Sequence, residues 1–260
     1  MQRGCRRPRT KVRECREAVL LPANLRFDDG PRSNFHWVFS CVTVSSIHFC
    51  IITVLEEVQM TIWLATGNAH KKNELEAILT GAGIIKPGSS GIRIPSDAGL
   101  DFAPDETGSD FCENALIKAR ELYFRLTLDT EAWNEGDVVI SDDSGICLDA
   151  LGGRPGIFSA RYAGTATGYA GEGVEESTSN TMKLKDSERN LLLLDELGDS
   201  PLRTACFVCA MVLLYHPGRF FITQETFEGE IVKGPECIRG TGGFGYDPIF
   251  FVPELGRTAA

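Results

Sequence analysis

The sequence predicts an α/β fold, because strand-like apolar runs alternate with segments of helical periodicity from Met60 onward. Residues 61–65 form a short apolar run that predicts a strand. Residues 69–83 follow with apolar side chains at helical spacing, and Gly81 and Gly83 end the predicted helix. A strand, a tight loop and a helix therefore succeed one another at the start of the domain.

The later elements continue this alternation. A second helix is predicted from about Asp110, because Asp110 and Glu113 have the spacing of a capping box and apolar side chains recur along one face. A Pro-, Gly- and Ser-rich link precedes it, and residues 164–182 predict a surface loop. The remaining predictions are a strand over residues 138–141, a helix over 186–197 and a hairpin formed by 203–215 and 220–232.

Charge divides the chain into two unlike parts. Residues 1–59 carry nine Lys and Arg against six Asp and Glu, whereas the rest carries 17 against 30, so the whole chain has a net charge of −10. This acidic balance argues against a general nucleic-acid binder, which presents a basic surface. We interpret residues 1–59 as an extension outside the fold and predict the domain over residues 60–260, with Met60 as a natural first residue.

The extension leaves a membrane anchor open as an alternative. Seven basic residues lie between positions 3 and 16, and residues 35–55 are mostly apolar. His36, His48 and several Ser and Thr interrupt that stretch, which disfavours a membrane-spanning helix. No membrane partner is therefore predicted.

The nine cysteines show no metal-binding pattern of paired CxxC motifs. Cys206 and Cys209 form the one CxxC, but they lie inside an apolar run that predicts a buried strand. Positions three apart on a strand face opposite ways, so both are interpreted as small core residues. A reducing, cytoplasmic setting is expected.

A phosphate-binding loop is one interpretation of the first strand–helix connection. Thr66, Gly67 and Asn68 precede a predicted helix, whose free N–H groups and partial positive charge suit anions. Lys71 falls in the first turn, within reach of a phosphate. Plain turn chemistry explains the Gly-Asn pair equally well.

Acidic residues form the second candidate group. Asp142 and Asp143 follow the predicted strand 138–141, and two adjacent carboxylates there are costly unless their charge is compensated. A hard cation such as Mg²⁺ accepts such oxygens and leaves room for phosphate ligands. A turn or capping role for the pair stays open. Glu106 lies in a loop just before the second helix, and Lys118 on that helix is compatible with a solvated face.

The third candidate group is a glycine-rich segment near the end of the chain. Gly240, Gly242 and Gly245 satisfy GxGxxG, but Pro248 and an apolar run follow where a dinucleotide site needs a helix. The glycines instead allow close backbone approach to a ligand. Phe244 and Tyr246 are suited to stacking on a base, and Asp247 to accepting a hydrogen bond from its polar edge.

Four segments in this order and spacing resemble the inosine triphosphate pyrophosphatase family. They are TGNAHK (66–71), ETGSDFCENALIKA (106–119), SDDSGICLDALGGRPGIFSARYAG (141–164) and GTGGFGYDPIFFVP (240–253). The resemblance extends from Met60 to the end of the chain. It implies a long mixed central sheet flanked by helices, with two lobes and a cleft between them. It also implies Mg²⁺-dependent hydrolysis of ITP, dITP and XTP to the monophosphate and pyrophosphate, and a homodimer.

The resemblance also implies roles for individual residues. Glu106, Asp142 and Asp143 would hold the metal, and Asp143 would also be the base for the attacking water. Ser144 would support this centre and Lys118 would neutralise phosphate. The substrate-binding residues carried over by motif are Thr66, Gly67, Asn68, Ala69, His70 and Lys71 for the triphosphate, and Phe244, Gly245, Tyr246 and Asp247 for the base.

The sequence departs from the family pattern in two places. The polar stretch 164–182 is longer than the usual connection. Family members also continue past a segment like the final PELGRTAA with a Lys, a Ser-His-Arg and a last helix, which help to recognise base and phosphates. From this difference we expect that the domain over residues 60–260 lacks the C-terminal end found in family members. The alternative function is accordingly a nucleotide-binding relative with impaired catalysis.

Overall fold

A computed structural model describes residues 60–86, 91–129, 131–163, 184–240, 243 and 245–260. The predicted extension 1–59, with the candidate anchor 35–55, and the predicted loop 164–182 lie outside these residues. Within the described part of the chain, no helix is long and apolar enough to cross a membrane.

The described residues form one mixed sheet of seven strands in the order β2-β1-β3-β4-β5-β6-β7. The strands β2, β1 and β3 run parallel, and each later neighbour is antiparallel. The strand bounds are β1 Ile62–Leu64, β2 Ile92–Arg93, β3 Val138–Leu148, β4 Thr204–His216, β5 Arg219–Ile231, β6 Phe250–Val252 and β7 Arg257–Thr258. The mixed sheet predicted from the resemblance is confirmed, whereas the division into two lobes stays a prediction.

Among the described residues, three α-helices pack against this sheet: α1 Ala69–Gly81, α2 Phe111–Asp129 and α3 Asp186–Leu197. Because side chains alternate along a strand, β1 and β3 present apolar residues to both faces. Ile62 and Leu64 pack with α1, whereas Trp63 packs with α2 on the opposite face. The third helix covers the far half of β3 together with β4 and β6.

Local sequence signals explain where the helices begin. Asp110 accepts a hydrogen bond from the Glu113 backbone N–H at 2.8 Å, as the predicted capping box requires. The Glu113 carboxylate accepts from the backbone N–H of Ser109 at 2.8 Å, one residue earlier than in the standard box. The predicted helix 186–197 and the predicted hairpin are both confirmed, the latter turning at Pro217 and Gly218.

Two predictions of local structure were wrong. The link before the second helix contains β2, which pairs in parallel with β1 and was too short to show a period of two. The strand predicted over residues 138–141 continues to Leu148. Asp142 and Asp143 therefore lie within β3 rather than in a turn at its end, because backbone pairing with Met211 and Ala210 of β4 extends the strand through the polar residues.

Close packing of β5 against β6 makes a prediction about Gly229. A Cβ at this position would lie 2.5 Å from the Phe250 ring and 2.7 Å from the Phe251 carbonyl oxygen. Phe250 is fully buried, so the ring has no room to withdraw. Gly229→Ala is expected to lower the free energy of unfolding by about 2 kcal/mol.

The matched control is Gly218→Ala at the hairpin turn, where a Cβ would meet only the His216 Nδ1, at 3.9 Å. Urea unfolding of both variants measures the difference. Equal losses for Gly229→Ala and Gly218→Ala would contradict the packing described at β5.

Candidate functional site

The candidate site lies where β1 ends and β3 runs on. The two strands pair only as far as Leu64 and Ile140, and β3 continues for eight further residues to Leu148. The connection from β1 to α1 turns away at this point. The side chains of β3 just beyond Ile140 are therefore open to a ligand, at the carboxyl end of a parallel pair, where α/β sheets commonly bind one.

Strand periodicity sends the two adjacent carboxylates of β3 to opposite faces of the sheet. Asp142 points to the α1 face, where Lys71 from the first turn of α1 forms an ion pair with it. Asp143 points to the α2 face, where Lys118 of α2 contacts it at 2.8 Å. Each buried carboxylate thus has a lysine from a different helix, which compensates its charge.

Lys118 contacts several groups of the site at once. Its Nζ lies 2.6 Å from the Glu106 carboxylate and also donates to the Asp142 carbonyl oxygen at 3.2 Å. Burial alone would lower the pKa of Lys118, but the charges of Asp143 and Asp142 and its hydrogen bonds raise that pKa above its usual value. Lys118 is therefore a fixed positive charge, not the solvated surface lysine that its helical position allowed.

Asp143 is held on both oxygens. Lys118 contacts Oδ1, and Asn114 donates to Oδ2 through Nδ2 at 3.2 Å. Burial raises the pKa of the Asp143 carboxyl above its usual value, although Lys118 and Asn114 act to lower it. This carboxylate has a fixed orientation and an affinity for a proton greater than that of an exposed aspartate.

These groups border a cavity of about 460 Å³. Charged side chains form part of its lining, and Phe207 and Tyr246 contribute aromatic rings. The predicted site residues that line the cavity are Thr66, Gly67, Asn68, Lys71, Glu106, Lys118, Asp142, Asp143, Ser144, Gly245, Tyr246 and Asp247. Ala69 and His70 are the first two residues of α1, and their side chains are not described. Phe244 is not among the described residues. The individual roles given to these residues stay predictions.

The loop before α1 is closed by a hydrogen bond between two of its own residues. The Asn68 backbone N–H donates to the Thr66 hydroxyl at 3.1 Å, and both residues line the cavity. The N-terminus of α1 follows directly, with its free N–H groups and partial positive charge. Lys71 stands in this first turn, so the positive end of α1 and an ammonium group lie together.

Sequence reasoning missed five polar residues that build the site. Ser159 accepts from the Ile146 backbone N–H at 2.9 Å and donates to the Gly156 carbonyl at 2.6 Å, and its own carbonyl accepts from the Tyr246 hydroxyl at 2.8 Å. Burial raises the pKa of Tyr246. The other missed residues are Asn114, Asp186, Arg189 and Asn190. For Asn114, its place one turn before Lys118 on α2 was the available signal.

The carboxylates fit a hard divalent cation by their chemistry. Asp142 Oδ1 is buried and has no hydrogen-bond partner in the described structure, so one oxygen is left for a further ligand. Glu106 and Asp143 add oxygens from across the cavity. In the described ranges, however, no three His, Cys, Asp or Glu side chains come close enough to share one ion. The ligand set Glu106, Asp142 and Asp143 therefore remains a prediction.

Comparison with known proteins decides the family. The family model described as the Ham1 family matches residues 62–260. The chain belongs to the Ham1 family. The resemblance inferred from the four motifs is thereby confirmed, and the matched range begins at β1.

Relatives of this Ham1 protein agree with the family assignment. A dITP/XTP pyrophosphatase of Treponema denticola is 40% identical over 203 residues, covering 77% of this chain and 86% of that protein. A dITP/XTP pyrophosphatase of Xylella fastidiosa is 42% identical over 201 residues, covering 76% and 83%. The solved structure of a HAM1 protein from Coxiella burnetii matches with a TM-score of 0.58 at 33% identity, covering 77% and 86%.

The buried contacts of Lys118 make a prediction about stability. Lys118→Met removes the cation shared by Asp143 and Glu106, so a buried carboxylate loses its partner. We expect the free energy of unfolding to fall by about 3 kcal/mol. Replacing Asp143 with Asn in the same chain is expected to recover part of that loss.

Lys72→Met is the control, because the pair between Lys72 and Asp97 is more exposed, at 3.0 Å. An exposed pair contributes less than about 1 kcal/mol. Urea unfolding compares the variants. If Lys118→Met costs no more than Lys72→Met, the charge compensation assigned to Lys118 is wrong.

Proposed function

We propose that this Ham1 protein hydrolyses non-standard purine nucleoside triphosphates, namely ITP, dITP and XTP, to the monophosphate and pyrophosphate, and so removes them from the nucleotide pool. The observation that carries the proposal is the convergence of Lys71 and Lys118, from two helices, on the adjacent carboxylates Asp142 and Asp143 in one cavity. The dITP/XTP pyrophosphatase activity named for its relatives supports it.

The charged part of the cavity suits the triphosphate. Cleavage of a phosphoanhydride needs charge neutralisation and an oriented water more than covalent chemistry. The N-terminus of α1 offers backbone N–H groups, and Lys71 offers an ammonium beside them. Lys118 adds a second cation across β3, so the phosphates meet positive charge from two directions.

Asp143 is the residue best placed to accept the proton of the attacking water. Its carboxylate is buried, oriented by Asn114 and Lys118, and has a raised pKa. A base of greater proton affinity removes a proton from water more readily. Lys118 stabilises the carboxylate form before attack, because its positive charge acts to lower the pKa that burial raises.

Mg²⁺ belongs to the proposal as a cofactor. Glu106, Asp142 and Asp143 would hold it, and when bound it would neutralise phosphate charge and polarise the phosphorus centre. The unpartnered Oδ1 of Asp142 supports this assignment. Lys71 and Lys118 would then exchange some of their carboxylate contacts for phosphate contacts.

The second candidate function, nucleotide binding without turnover, is not favoured by the relatives, which are pyrophosphatases by name. We also propose that the chain forms a homodimer, which sedimentation velocity tests. We also propose a cytoplasmic location, with which free thiols at the described cysteines agree, and cell fractionation tests it.

The catalytic assignment is tested by Asp143→Asn, which keeps the shape of the side chain but cannot accept the proton of water. Pyrophosphate release from dITP is expected to fall by at least about 100-fold. Asp149→Asn is the control, because Asp149 is an exposed carboxylate just after the same strand. An Asp143→Asn variant that keeps the wild-type rate would rule out its role as the base.

The cofactor assignment is tested by removing divalent cations with a chelator. Pyrophosphate release is expected to stop and to return when Mg²⁺ is restored. Asp142→Asn is expected to raise the Mg²⁺ concentration needed for half-maximal rate, because a neutral amide binds a hard cation less well than a carboxylate. Full activity in excess chelator would contradict the assignment.

A further inference from the structure

The N-terminal part of α3 holds one residue of the glycine-rich segment by hydrogen bonds to both of its backbone polar groups. Asp186 Oδ2 accepts a hydrogen bond from the Gly245 backbone N–H at 2.8 Å. Asn190 Nδ2 donates to the Gly245 carbonyl oxygen at 3.0 Å. Residues four apart lie on the same face of a helix, so one face of α3 holds both polar groups of a single backbone residue.

This clamp, formed by Asp186 and Asn190, is itself fixed in place. Arg189 forms an ion pair with the second oxygen of Asp186, and Arg189 also donates to the carbonyl oxygens of Ala160 and Leu184 at 3.0 and 2.9 Å. Arg189 and Asn190 are buried. The carboxylate of Asp186 is therefore oriented by a cation anchored to the backbone before and after the segment 164–183.

The residue that the clamp holds has a conformation that favours glycine. Gly245 has a φ of +60°, in the left-handed region that favours glycine. Its neighbours Tyr246 and Asp247 are buried and, with Gly245, line the cavity. A shift of the Gly245 peptide would therefore move the wall that Tyr246 and Asp247 form.

The residues of this wall suit one part of a nucleotide. Elsewhere in the lining, Lys71 and Lys118 offer cations, which suit phosphates. The wall formed by Gly245, Tyr246 and Asp247 supplies an aromatic ring, a carboxylate and backbone groups. These groups suit the nucleoside, because a base offers a stacking face and a polar edge.

We propose that Asp186 and Asn190 are positioning residues that set selectivity among purine bases by holding Gly245. This inference rests on the proposed function, because it assumes a nucleoside triphosphate in the cavity. The clamp touches none of the groups around Asp143. Its loss therefore weakens base recognition and leaves the hydrolytic step in place.

The test compares steady-state pyrophosphate release from dITP and dATP. Asp186→Ala is expected to raise KM for dITP about tenfold, the size of one charge-assisted hydrogen bond, with kcat within about twofold of wild type. Because KM for dITP rises, the ratio of kcat/KM for dITP to kcat/KM for dATP is expected to fall. Asp186→Asn keeps an oxygen that accepts from the Gly245 N–H and is expected to restore KM. Asn190→Leu, which cannot donate, is expected to act like Asp186→Ala.

Glu188→Ala is the matched control. Glu188 lies in the same turn, and its carboxylate accepts from the Lys185 backbone N–H without contacting Gly245. This variant loses a helix cap but is expected to keep the wild-type KM and base selectivity. Equal effects of Asp186→Ala and Glu188→Ala, or a fall in kcat with no change in KM, would overturn the inference.

A wild-type chain that releases no pyrophosphate from any nucleotide refutes the proposed function but not the clamp. In that case calorimetric titration with dITP still compares the same variants. A Kd raised about tenfold in Asp186→Ala, and unchanged in Glu188→Ala, supports the clamp. Equal Kd values in both variants reject it.

Discussion

Two carboxylates that follow one another on a buried strand each need a cation nearby to compensate their negative charge. The arrangement of the site depends on where those cations lie. Because side chains alternate on β3, Asp142 and Asp143 need cations on opposite faces of the sheet. The helices α1 and α2 supply Lys71 and Lys118, one to each face. The early end of β1 opens the strand at this point, so the charges border a cavity rather than a closed core.

The same arrangement links stability to function. A lysine that stabilises a buried carboxylate is also a cation available to a phosphate, and Lys118 contacts Asp143 and Glu106 at once. When a phosphate or a cation enters the cavity, the lysines and carboxylates already paired there would exchange some of their contacts with each other for contacts with it. Elsewhere in the cavity lining, Asp186 and Asn190 of α3 hold Gly245 by hydrogen bonds. In our proposal this clamp serves recognition of the nucleoside, whereas Asp143 serves the chemistry.

Much of this could be predicted from local sequence. The helix 186–197 and the β4–β5 hairpin follow from apolar periodicity and turn residues, and four motifs indicated the family. The length of β3 could not be predicted, because pairing with β4 rather than side-chain pattern carries the strand through Asp142 and Asp143. The clamp was missed because Asp186 and Gly245 are 59 residues apart, and no local pattern shows a side chain bonded to distant backbone.

We propose that this charge network directs hydrolysis to the α–β phosphoanhydride of a purine nucleoside triphosphate. Phosphorus-31 NMR of the products formed from dITP by the unmodified chain distinguishes this cleavage from attack at the terminal phosphate. We expect equal amounts of dIMP and pyrophosphate, with no orthophosphate released in step with them. Formation of dIDP and orthophosphate, or no product at all, would contradict it.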